Sequence, residues 1–167
     1  MIRARKLSNV HKKRSCRPLY SHHQATPYAA FLDTASVGTT VIVPGMVATQ
    51  IGATEKMGIY DGTNAALEPF GLFANFINGD MDELGDGTEI GVWRGGKDAV
   101  FEVLTDALAA VSWTGISAAN TAVFATSGGK LTNSDGGGPR VATLMEAPSN
   151  NKIIIRLALG DPTAVQS

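Results

Sequence analysis

The sequence predicts a mainly β fold: a small antiparallel β-barrel or sandwich with an extended N-terminal arm and at most one short helix. Three observations carry that prediction. Apolar runs with β-branched or alternating character recur roughly every 8 to 12 residues. The 19 glycines among 167 residues exceed average usage and suit many tight turns. Between the runs no long helical pattern intervenes, which argues against parallel βαβ units. Apolar residues make up 44 % of the chain and charged residues 17 %, and a domain of this length buries about 68–70 % of its unfolded surface, enough for one core.

Residues 1–30 read as a basic arm, its mobile part ending near Pro27, and residues 31–167 as a β-rich body. The arm has few apolar anchors and many like charges, so alone it is expected to be extended and to order against a partner. In the body, Thr39–Val43 is a β-branched run stopped by Pro44-Gly45, a type II turn pair, with Met46–Ile51 returning as the next strand. MGIYDGTNAA gives a short strand and an Asp61-Gly62 turn. Pro69–Ile77 follows, with Phe70, Leu72, Ala74 and Phe76 on one alternating, core-facing side.

Asn78–Gly87, rich in acids and glycine, reads as a long exposed loop. In EIGVWRGGKDAVFEVL, Glu89–Leu104, two strands flank the turn Arg94–Asp98 as a hairpin, with Ala99, Phe101 and Val103 sharing a face. Thr105–Val111 is suited to one or two helical turns capped by Thr105 or Asp106. VFATSGGKLTN suggests a hairpin around Gly128-Gly129, SDGGGPR a flexible loop, and RVATLMEAPSNNKIIIRLAL two strands paired across Pro148–Asn151.

The net charge of −1 conceals a division along the chain. Before Asp33, the first acidic residue, stand Arg3, Arg5, Lys6, Lys12, Lys13, Arg14 and Arg17, so the arm carries +7. The other seven cations face all fifteen acids, leaving the body at −8. Such an arm is attracted to phosphates, but an acidic body repels a duplex, and only Tyr20 and Tyr28 offer stacking surfaces there. Nucleic acid is therefore the second choice of partner. An acidic protein surface, including the body of a neighbouring copy, is the first. An Arg-rich, acid-free start is also how an organellar transit peptide reads, although Pro18 and the poorly periodic Ile2, Leu7 and Val10 give little amphipathic stripe. No run of 18 apolar residues or apolar leader core is present, so membrane association is not expected and synthesis in the cytoplasm is.

Signs of catalysis are sparse. His11, His22 and His23 all fall in the arm, where no rigid surroundings would tune a general base. Cys16 with His22-His23 lacks the paired spacing of structural zinc sites, so solvent-exposed or partner-contacting side chains are the simpler reading. The single cysteine forms no internal disulfide. Asp80, Asp82, Glu83, Asp86 and Glu89 superficially resemble a calcium loop, but Leu84 stands where the third ligand belongs. The clusters Gly128-Gly129 and Gly136-Gly137-Gly138 match neither phosphate-binding nor dinucleotide-binding patterns, and no nucleophile elbow occurs. No enzymatic activity, cofactor or metal is expected.

The order ASVGTTVIVPGMVATQ, PFGLFANFINGDMDELGDGTEIGVWRGGKDAVFEVL, GGKLT and VATLMEAPSNNKIIIRLAL resembles the capsid decoration, or cement and head-stabilising, proteins of tailed double-stranded DNA bacteriophages, over about Ala35–Leu159. The Val-Pro-Gly-Met turn, the Pro-Phe-Gly-Leu strand and the Trp-Arg-Gly-Gly hairpin carry the likeness. It implies a structural virion protein whose β body sits on the outside of the major capsid shell, as a trimer or other symmetric oligomer, with an arm over neighbouring subunits. The partners so implied are the major capsid protein and further copies of the chain, and the arm contacts would come from Arg3, Arg5, Lys6, Lys12, Lys13, Arg14, Arg17 and Tyr20. On the body, Trp93 and Arg94 are implied as interface anchors, although Trp93 serves equally as a core residue. A tail-tube subunit or another virion β protein is the related alternative.

Overall fold

β-Branched and aromatic residues fit a pleated, half-buried surface, and strands form where such runs meet turn residues. The computed structural model describes residues 15–19, 27–77, 88–94, 99–109, 113, 115–117, 121–149 and 152–158. In chain order the strands are β1 (Cys16–Pro18), β2 (Tyr28–Leu32), β3 (Val47–Gln50), β4 (Lys56–Ile59), β5 (Pro69–Phe73), β6 (Glu89–Trp93), β7 (Val100–Leu104), β8 (Ala122–Ala125), β9 (Leu131–Thr132), β10 (Ala142–Leu144) and β11 (Lys152–Leu157). The acidic segment 78–87, expected to be an exposed loop, lies outside the described residues.

Two β layers result. Strands β2-β4-β3-β5-β6 close into a barrel, and β1-β7-β11-β10-β8-β9 form a six-stranded sheet. The barrel is antiparallel except at its closure, where β2 runs parallel to β4 with Phe31 opposite Lys56 and Leu32 opposite Met57. A parallel pair needs a crossover. Here it contains the helical turn α1 (Thr34–Val37), which Asp33 caps by accepting a hydrogen bond from the Ser36 N–H at 3.1 Å. At the stretch expected to be helical, Thr105–Ala107 forms a 3-10 turn whose cap position, Leu104, supplies no side-chain hydrogen bond.

Glu89–Leu104 holds the two strands expected of it, but they do not pair with each other. β6 joins β2 and β5 in the barrel, whereas β7 lies between β1 and β11 in the sheet. The segment is a crossing between layers. Likewise Thr39–Val43 contributes no regular strand: Ile42 alone bridges to Ile77, while the Met46 N–H donates to the Val43 carbonyl across the Pro44-Gly45 turn. The hairpins β8–β9 and β10–β11 form as the sequence suggests, the latter with Ala142 opposite Leu157.

One continuous core joins the layers, from Leu32, Met57 and Leu72 in the barrel to Phe101, Val103, Ile153 and Ile155 in the sheet. Two joints show how closely they meet. Gly45, at φ 98°, sits where an added Cβ would lie 2.9 Å from the Cys16 Cβ and 3.1 Å from Ala107 and Val103. Gly62 abuts the Ala125 carbonyl, and its N–H donates to Thr126 at 3.1 Å.

Candidate interaction surface

The arm cations Arg3, Arg5, Lys6, Lys12, Lys13 and Arg14, with Tyr20 and all three histidines, lie outside the described residues. Arg17 is described, and its surroundings are specific. Cys16–Pro18 form the edge strand of the sheet, so Arg17 stands opposite Glu102 on β7. Its Nε donates to Glu102 Oε1 at 2.8 Å, and Lys152 Nζ donates to the other carboxylate oxygen at 3.0 Å. Glu102 is nearly buried while the Arg17 side chain is 65 % exposed. The hydrogen bond from Arg17 is the main influence on the Glu102 carboxyl; it and Lys152 outweigh burial and hold the group below the usual carboxylate range.

Cys16 is buried, contrary to its expected exposure. Its side chain points into the joint at Gly45, and burial, reinforced by the charge of Glu102, raises the thiol far above its ordinary range. A thiol so placed is a packing group and a poor nucleophile. The buried Ser15 hydroxyl beside it donates to the Pro44 carbonyl at 2.6 Å.

On the barrel, Trp93 and Arg94 part company. Trp93 is 9 % exposed and packs against Phe101, ring centroids 5.4 Å apart, so it belongs to the core between the layers. Arg94 is exposed, its guanidinium 4.2 Å from the centre of the Phe70 ring. Phe70 in turn meets Tyr28 edge-to-face at 5.4 Å, and Tyr28 is 42 % exposed. These three residues border an open groove of about 690 Å³ that Thr49, Gln50 and Glu68 also line.

A β-bulge puts Phe70 there. Ala48 faces Gly71 but Thr49 faces Pro69, so Phe70 is the extra residue and leaves the alternation that the sequence implied. Beyond the bulge Leu72 and Phe73 are both fully buried, and Ala74 and Phe76 only partly so. The sequence reading missed Phe70, Glu102 and Lys152. Glu102 could have been noticed as the one charge in an otherwise apolar strand, since such a charge needs a partner. The bulge left no comparable signal.

Chemically the groove offers aromatic faces and a guanidinium over the Phe70 ring, a group suited to carboxylates or carbonyls. Among the described residues no group of histidine, cysteine, aspartate and glutamate is arranged to hold a metal ion. No described helix is long and apolar enough to cross a membrane. Glu89, at the start of β6, is exposed, while Asp80, Asp82, Glu83 and Asp86 lie outside the described residues.

A sequence model of the family described as phage cement protein matches residues 1–167. No curated protein and no solved structure matches the chain. A match over the whole length, on a two-layered β body and a basic N-terminal segment, joins the earlier likeness to a structural, capsid-stabilising role: the chain belongs to the phage cement protein family.

Proposed function

We propose that the protein binds the outer surface of the major capsid shell of a tailed phage and reinforces it, acting as a decoration protein with no catalytic role. The family match supports the capsid, and the division of charge supports the manner of attachment: a +7 segment ahead of a −8 body. Many moderate contacts repeated over a lattice give durable attachment without a single preorganised site. In this reading Arg3, Arg5, Lys6, Lys12, Lys13, Arg14 and Tyr20 reach acidic surfaces of capsid subunits or of adjacent copies, and copies associate as a trimer or another closed oligomer. Arg94, Phe70 and Tyr28 form the contact face of the body, while Trp93, packed against Phe101, belongs to the core.

The experiment is reconstitution on undecorated expanded capsids. Stoichiometric binding and a rise in the temperature at which the shell ruptures are expected. Because Ser15 and Cys16 are part of the core, the informative truncation removes residues 1–14 and leaves β1 in place. It should bind more weakly while keeping its own melting temperature. Arg94→Ala should weaken binding about tenfold per site, a loss of about 1.4 kcal/mol. Failure of the intact protein to bind capsids removes the proposal.

A further inference from the structure

Strand β1 is held by residues remote from it in sequence. The Leu104 N–H donates to the Ser15 carbonyl at 2.7 Å and the Leu19 N–H to the Val100 carbonyl at 2.9 Å. The Ser15 hydroxyl bonds Pro44, the Cys16 side chain fills the space over Gly45, and Arg17 pairs with Glu102. Together they make a receptor for five residues, built from the Pro44-Gly45 turn, β7 and Lys152. Nothing in its chemistry depends on which copy of the chain supplies the strand.

We propose that β1 is exchanged between adjacent copies on the capsid, residues 15–19 of one copy pairing with β7 of the next. The inference rests on the reading that copies sit side by side on a shell. An exchanged strand makes the same hydrogen bonds, ion pair and core contact as its own would, so exchange sacrifices no contact, and a lattice raises the effective concentration of the neighbour's receptor. Residues 20–27 span at most about 28 Å when extended, against a radius of gyration of about 14 Å for a domain of this size. Exchange also carries the six cations that precede Ser15 onto a neighbouring acidic body. Pro18, which has no N–H to offer, limits the new edge to a short strand and keeps it from templating further pairing.

Cys16, the only native cysteine, supplies the test. It lies directly opposite Val103 in a non-hydrogen-bonded pair, whose Cα separation of about 4.5 Å suits a disulfide. Wild-type chains are mixed with chains carrying Cys16→Ser and Val103→Cys, so that a disulfide at this position forms only between copies. The mixture is bound to capsids, oxidised with diamide and run on a non-reducing gel. A covalent heterodimer is expected from decorated capsids, with far less from the same mixture in dilute solution. Val103→Cys alone, oxidised in dilute solution, should close on its own Cys16 and so show that the variant folds. If it does not, Leu19→Cys chains mixed with Val100→Cys chains, both on a Cys16→Ser background, repeat the test where the Leu19 N–H meets the Val100 carbonyl. Stoichiometric binding with no heterodimer overturns strand exchange and leaves the capsid reading standing. Absence of binding overturns both.

Discussion

At the residue scale, Glu102 is a nearly buried carboxylate held between Arg17 and Lys152. Glu102→Gln keeps the shape but leaves two cations facing a neutral amide. Solvent around the exposed arginine weakens the loss, so the cost should be about 1 kcal/mol. The pH dependence has a definite sign. Because the folded-state pKa is lowered, the charged carboxylate stabilises the fold above its unfolded-state value near 4.5. That contribution disappears as pH falls through the folded-state value. Urea titrations should thus find the variant less stable than wild type at pH 7, with the gap narrowing below about pH 4.5 and closing further into acid. A gap that stays constant from pH 7 to pH 3 would show that the lost stability comes from packing instead of charge.

Elements are where sequence reading succeeded in kind and failed in pairing. Ile90 and Val92, or Ala99, Phe101 and Val103, declare strands through their alternation, and all of them are buried. Which strands become neighbours depends on what can be covered. β7 is apolar apart from Glu102 and almost wholly buried, so it needs a partner on each edge, here β1 and β11, which a simple hairpin with β6 cannot supply. The same logic draws Cys16–Pro18 out of a basic segment to serve as an edge, although its composition predicts an extended chain. For the groove, exposed Arg94 was legible as a charge beside a glycine turn, whereas Phe70 depends on a bulge that only the register of β3 against β5 creates.

The Pro44-Gly45 turn was legible too, but its importance was not: it is where β1, β7 and the 3-10 turn meet the barrel. Gly45→Ala must place a Cβ within 2.9 Å of Cys16 at a φ of 98°, which L residues disfavour. Backbone strain and overpacking together should cost about 3 kcal/mol, lowering the melting temperature by about 6 to 12 °C. Calorimetry measures that shift. Faster alkylation of Cys16 in the variant would place the damage at β1, whereas an unchanged alkylation rate would place it elsewhere in the joint.

For the whole molecule, the relevant quantity is the distance between its opposite charges. From farther than a Debye length, about 10 Å at 0.1 M salt, a partner meets a nearly neutral particle of net charge −1. At closer range it meets either a cationic segment or an anionic body, so the proposed attraction to acidic protein surfaces acts only near contact. Attachment that uses the segment must therefore weaken with salt, and raising NaCl from 0.05 to 0.5 M should reduce capsid affinity several-fold for the full chain. The chain lacking residues 1–14 has lost six of those cations and should bind more weakly at low salt but respond far less to added salt, with the proposed aromatic and guanidinium face of the barrel left to hold it. Parallel titrations of both forms by capsid sedimentation decide the matter. Convergence of the two curves at high salt assigns the difference to electrostatics, whereas a constant offset at every salt concentration would mean that the segment grips through apolar or backbone contacts and that its positive charge serves another purpose.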